Sequence, residues 1–204
     1  MKKVERVLLC TLGMSMMSVG IALIVNSRFG DDLLTLFVEA SRKIYPLSIG
    51  TYNFIYGSIM VIISFFCDKK KIGYGTIYYV LVGVVLIDVF IKIIPVATDF
   101  YMQLLYVLLV IIIMSISVTL AISTRLGLSY YDAFLYSVSM RLNTTYVKLR
   151  YILEAFFLAA SLLLKTYPGI GTLIYFVALG PAINWSVNKF KNPIRKHLGM
   201  SFED

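Results

Sequence analysis

The stretch Asn26-Ser27-Arg28-Phe29-Gly30-Asp31-Asp32 decides how the chain is read, because a relative of it, Ser123-Thr124-Arg125-Leu126-Gly127-Leu128-Ser129, returns about a hundred residues later. Each time, an arginine two positions before a glycine closes a long apolar run. The sequel also matches: a segment of mixed polarity, an apolar segment, a Gly-x-Gly-Thr motif and a further apolar segment. The motif is Gly73-Tyr74-Gly75-Thr76 in the first copy and Gly169-Ile170-Gly171-Thr172 in the second. Duplication on this scale within apolar sequence points to the doubled architecture of membrane transporters. It divides one integral membrane domain into residues 1–98 and 99–204.

Of 204 residues, 59% are hydrophobic, and the mean hydropathy of +0.84 exceeds that of a soluble domain, which must cover itself with polar groups. This is the composition of an integral membrane protein. The formal net charge of +8 comes from basic residues placed between apolar runs and at the ends, not from one aromatic-interleaved patch, so topology accounts for it and nucleic acid is not an expected partner. The run Val7–Val25 follows a basic start but is too long for a signal peptide and lacks a small-x-small cleavage site, so it reads as a span. Cys10 and Cys67 both fall near the cytoplasmic face in the topology below and are expected to be reduced thiols.

A helix needs about twenty mostly apolar residues to cross the hydrocarbon. Six segments qualify: Val7–Val25, Ile49–Cys67, Gly75–Pro95, Leu104–Ser123, Val147–Leu164 and Gly171–Val187. Two shorter ones, Asp31–Tyr45 and Leu128–Leu142, carry apolar residues at helical spacing and read as re-entrant or interfacial half-helices. Lysine and arginine are retained on the cytoplasmic side. That places both termini, the run Lys69-Lys70-Lys71 and the stretch from Arg125 to Arg150 inside, and leaves Arg28, Arg42, Lys43, Lys92 and Lys165 outside. Three spans per copy make the second copy enter from the opposite face. The expected fold is therefore an all-α membrane protein of six transmembrane helices plus two half-helices, arranged as two inverted three-span repeats.

Arg28 and Arg125 stand where a span ends and a half-helix begins. A guanidinium there pairs bidentately with a carboxylate or phosphate, aided by free N–H groups at the half-helix start, or else it snorkels to a headgroup and anchors the helix end. Asp31 and Asp32 read best as helix caps; Asp132 sits deeper, with an ion pair to Arg125 or a role in cation coupling open to it. Arg150 with Glu154, and Asp88 with Lys92, are one turn apart and able to neutralise each other; an ionisable group inside a span is otherwise a candidate functional site. In the repeat alignment Asp88 falls opposite Asn184, which suggests a shared interior site. Gly73, Gly75, Gly169 and Gly171 read as helix-packing positions. With His197 alone in the basic tail, there is no HExxH, no Ser-His pair and no Walker or dinucleotide motif, so neither catalysis nor a cofactor or metal is expected.

The second copy, with Arg125-Leu126-Gly127, Asp132, Arg150-x-x-x-Glu154, Gly169-Ile170-Gly171-Thr172 and Gly180-Pro181, resembles the bacterial YczE/YyaS/YitT group of membrane proteins. The first copy departs from it, with Thr35 where the half-helix aspartate would stand. The resemblance implies a small multipass bacterial membrane protein and leaves mechanism open. The expected function is transport of a small molecule with an anionic group by alternating access, the protein acting alone, as a homo-oligomer or within a larger transport complex. The alternative is a non-transporting membrane subunit, capturing substrate for a larger transporter or regulating a membrane enzyme.

Overall fold

The computed structural model describes residues 2–68, 70 and 72–200. Lys69 and Lys71 of the basic run lie outside the described residues. Among those described there are eight helices: α1 (Lys2–Ser27), α2 (Leu33–Arg42), α3 (Ile49–Cys67), α4 (Tyr74–Ile93), α5 (Phe100–Thr124), α6 (Tyr130–Arg141), α7 (Tyr146–Leu163) and α8 (Ile170–His197). Five of them, α1, α3, α4, α5 and α8, are long and apolar enough to cross a membrane. The chain is a multipass membrane protein in contact with lipid. Its outer faces agree: Ile62, Phe66, Leu81, Val85, Ile112 and Val177 are exposed, a display that water would not tolerate and hydrocarbon does.

The sixth segment expected as a span is the helix α7, but it has 18 residues with Lys148, Arg150 and Glu154 among them, so it is not one of the long apolar five. The helices α2 and α6 have 10 and 12 residues. At 1.5 Å per residue they are roughly 15 and 18 Å long, too short to cross a ~30 Å core.

The centre of the molecule is the pair α1 and α5, packed antiparallel. The Arg6 guanidinium donates to the Thr124 carbonyl at 2.9 Å at one end, the Ser117 hydroxyl donates to the Gly13 carbonyl at 2.6 Å further along, and Gly20 faces Met114 beyond that. Gly13 and Gly20, two turns apart, let α5 approach closely, whereas Ser18 points to α4 and donates to the Gly83 carbonyl at 2.7 Å. The small residues of α1 thus serve two neighbours, which is why they do not form one stripe. Along α4 the contacts Thr11–Tyr74, Ser15–Tyr78 and Asn26–Ile91 rise together, so α4 runs parallel to α1. On α5, Thr119 meets Ser186 and Ile122 meets Arg195, so α8 runs parallel to α5.

The remaining helices are exchanged across this centre. Helix α3 packs mainly on α6: Gly57 lies under the Tyr130 ring, the Tyr130 hydroxyl donates to Asn53 Oδ1, and Ser137 donates to the Asp68 carbonyl. Helix α7 packs on α2, where Phe37 stacks on Phe157 with centroids 5.3 Å apart. Cys10 and Cys67 are free thiols.

Candidate functional site

The two Arg-x-Gly stretches take matching backbone conformations. Arg28 and Arg125 are left-handed, with φ of 51° and 52°, and Gly30 and Gly127 have φ of 136° and 111°. A side chain at either glycine would be strained by the backbone alone. The left-handed arginine ends the preceding helix in each case. The glycine then lets the chain reach the Gly-x-Gly-Thr opening of a helix in the other half. Gly171 N donates to the Phe29 carbonyl and Gly75 N to the Leu126 carbonyl, both at 2.8 Å. A Cβ on Gly30 would lie 2.7 Å from Thr172 N, and one on Gly127 would lie 2.8 Å from Gly73 N. The glycines read from sequence as packing positions therefore receive these two loops, one at each end of the α1–α5 pair.

Held in this way, α2 and α6 direct their N-termini into one partly enclosed cavity of about 100 Å³, lined by every helix except α3. Asp32 caps α2, accepting from Thr35 N at 3.2 Å and from the Thr35 hydroxyl. Ser129 caps α6, accepting from Asp132 N at 3.1 Å and donating to Asp132 Oδ2 at 2.8 Å. Tyr146 of α7 donates to Asp132 Oδ1 at 2.8 Å. The cap and the position three residues on thus exchange an acid and a hydroxyl between the two helices, Asp/Thr in one and Ser/Asp in the other. Each N-terminus brings one carboxylate to the cavity wall. The aspartate missing at position 35 has its counterpart one turn earlier, at Asp32.

From α7, Arg150 Nε donates to Glu154 Oε1 at 2.7 Å. Glu154 is 7% exposed, and its second oxygen, Oε2, is buried with no hydrogen-bond donor in normal geometry. Thr172 Oγ1, from a residue that also lines the cavity, is likewise buried and unpartnered. Its counterpart Thr76 Oγ1 is satisfied by the Leu128 carbonyl at 2.6 Å. Buried polar atoms are nearly always paired, so two orphans on one cavity wall mark a place where a solute or water completes the bonding. Tyr79, Tyr131, Tyr175 and Phe176 supply aromatic surface to the same wall. Tyr79 opens a π-helical turn, Tyr79–Gly83, within α4. A Cβ on Gly83 would meet the Tyr79 ring at 2.3 Å, so the glycine makes room for that ring. π turns inside α-helices are frequent at functional sites, and nothing in the apolar pattern of α4 signals this one.

Of the residues expected to bind substrate, Asp132, Arg150 and Glu154 come together in the cavity; the other four lie elsewhere. Arg28 is exposed, and Arg28 and Arg125 sit at opposite ends of the central pair, neither of them lining the cavity. One N–H at the start of each short helix, that of Thr35 or Asp132, is engaged by the side chain of Asp32 or Ser129. Asp88 forms no ion pair with Lys92. Its carboxylate instead caps α3 from outside, accepting from Ser48 Oγ at 2.5 Å and from Gly50 N at 2.8 Å. Asn184 lies on the exposed side of α8, bonded to Asn188 at 3.1 Å. The alignment matched Asp88 and Asn184 in sequence, but the side chains face different ways and share no interior site.

No cluster of His, Cys, Asp or Glu able to hold a metal occurs among the described residues. No curated protein and no solved structure matches the chain. Residues 4–188 match a family of unknown function, DUF6198, and the chain belongs to that family.

Proposed function

For this member of the family we propose a small-molecule transporter that works by alternating access between two inverted repeats, each of three spans and one short half-helix, with both termini cytoplasmic. In this reading α7 is the sixth span, its charged residues facing the cavity and not lipid. The observation that carries it is the cavity itself: the N-termini of two short helices, one from each half, meet in the interior beside buried polar atoms that lack partners. Discontinuous helices meeting at a central site are the recurring device of transporters with inverted repeats. The antiparallel α1 and α5, and the loops closing opposite ends of that pair, supply the symmetry such a mechanism needs. The motifs shared with the YczE/YyaS/YitT group fit the same arrangement.

Cysteine accessibility tests this without knowledge of the substrate. On a background lacking Cys10 and Cys67, Val118→Cys in the cavity wall is expected to react with a membrane-impermeant thiol reagent in both right-side-out and inside-out vesicles. In intact cells, a cysteine at Asp99 reacts and one at Lys70 is shielded; both positions are exposed on the protein. Labelling of Val118→Cys from one side only would remove alternating access and favour a substrate-capture subunit. A reachable position 70 would remove the inverted arrangement.

A further inference from the structure

The cavity's charge decides what it accepts. Its wall carries three carboxylates, Asp32, Asp132 and Glu154, against the single guanidinium of Arg150. Both helix N-termini, which would otherwise favour an anion, already face their own acidic side chains. Arg150 is likewise committed to Glu154 Oε1. With Arg150 Nε paired to Glu154, the carboxylates of Asp32 and Asp132 still outnumber the positive charge on the wall, and this surplus acid favours a positive counterpart over a carboxylate or phosphate, because uncompensated charge is costly away from water. The Tyr131 hydroxyl interacts with the Glu154 carboxyl, but Oε2 is buried with no donor in hydrogen-bonding geometry. The aromatic wall adds surface that attracts a cation through the ring quadrupole.

We propose that this cavity binds a small organic monocation, a protonated amine or guanidine, whose N–H groups are taken up by Glu154 Oε2 and the carboxylates of Asp32 and Asp132. The inference rests on the reading of the cavity as the substrate site, and it replaces the anionic solute expected when Arg28 and Arg125 were placed there. A space of about 100 Å³ admits several waters or a solute of a few non-hydrogen atoms. Rings at the wall and N–H acceptors in three directions suit an ammonium or guanidinium better than a bare alkali ion, which prefers a tight shell of oxygens.

The full chain, purified in detergent at neutral pH, is titrated with ethylammonium and methylguanidinium chlorides, with sodium chloride and sodium propionate at equal ionic strength as comparisons. Thermal shift and titration calorimetry are the readouts. At least one organic cation is expected to stabilise the protein saturably, while sodium and propionate do not. Glu154→Gln, which keeps the shape and removes the charge, is expected to weaken that binding at least tenfold. Should Glu154→Gln fail to fold, Asp132→Asn carries the same expectation. Stabilisation by propionate, an equal response to sodium, no saturable response to either organic cation, or undiminished binding in the folded variant each overturns the proposal. Its failure is separable from that of transport. One-sided labelling of Val118→Cys with cation binding intact removes transport and leaves the cation site, and two-sided labelling without cation binding does the reverse.

Discussion

Gly127→Ala tests the exchange of loops between the two halves at its tightest point. At φ of 111° an alanine is strained by its own backbone, at about 1–3 kcal/mol. Its Cβ would also lie 2.8 Å from both Gly73 Cα and Gly73 N, backbone atoms that yield only if two helices part, which adds about 1–3 kcal/mol. The sum, about 2–6 kcal/mol, is a large share of the 5–15 kcal/mol that typically holds a domain folded. Gly73→Ala has an ordinary extended backbone, so it carries only the steric part, against the Leu126 carbonyl oxygen at 2.4 Å. Because both methyls open the same gap, the double variant should cost less than the two singles together. Gly180 supplies the contrast: apart from its chain neighbours nothing lies within 4 Å of its Cβ position inside α8, and the helical gain from alanine, up to about 1 kcal/mol, is offset by crowding of that Cβ against the ring of Pro181, so the net change should be small. Reversible unfolding by SDS titration in mixed micelles measures all four variants. A Gly127→Ala cost below about 0.5 kcal/mol, or no difference between Gly127 and Gly180, would refute the packing argument.

Asp31, outside the long apolar helices in a cleft with Glu39, Arg42 and Lys43, has its carboxyl pushed up to about 8 by burial, then by Asp32 and Glu39. The folded protein therefore holds this proton more tightly than the unfolded chain, whose aspartate titrates near ~3.9. The associated stability is full below that value and drains away as pH rises towards 8. Asp31→Asn should accordingly raise Tm at pH 8 and not at pH 4, and a wild-type slope in the variant across that window counts against it. Asp88→Asn loses one acceptor on the α3 N-terminus and should lower stability by about 1–3 kcal/mol. Ser48→Ala removes the N-cap bond from Thr51 N as well as a donor to Asp88 and should cost about 0.5–2 kcal/mol; an Asp88→Asn cost below about 0.5 kcal/mol in the same titration would count against Asp88 as a second support of the α3 start.

Much of this fold was legible because its punctuation is local. The apolar runs are bounded by capping or left-handed residues visible in the sequence: Ser48 and Asp99 start α3 and α5, and the Arg-x-Gly pairs follow the ends of α1 and α5. The short helices were legible from their length and their acidic starts. Where a side chain points was not. Arg28 and Arg125 drew attention because a charge beside an apolar run is conspicuous, yet the left-handed backbone at each ends its helix and takes it out of the interior wall. Asp32 was read as a cap, which it is; that a cap also lines a cavity depends on helices brought from elsewhere in the chain. The signal that would have found it is the exchange of acid and hydroxyl across one helical turn, Asp32/Thr35 against Ser129/Asp132. Tyr79 stands in a tyrosine-rich segment that reads as cavity lining or, more commonly, as an interfacial belt; the π turn that settles its ring on the cavity wall leaves no trace in apolar periodicity.

The exchanged loops also bear on how the cavity would open. At one end the chain from Phe29 to Asp32 rests on Gly169–Thr172; at the other, Leu126–Ser129 rests on Gly73–Thr76. In the proposed transport cycle, parting either contact would expose the start of one short helix while the other stays closed, since the two lie at opposite ends of the α1–α5 pair. Each is held by one backbone hydrogen bond of 2.8 Å, and the second gains the bond from Thr76 Oγ1 to Leu128, which Thr172 does not reproduce. One net hydrogen bond contributes about 1 kcal/mol, which is roughly a fivefold difference in how often the two ends part. The Phe29 end is the weaker, and occupation of the cavity offers Thr172 Oγ1 a partner. Solute binding would then strengthen the weaker closure and bring the two ends towards balance, which is the condition under which a symmetric carrier exchanges its open faces.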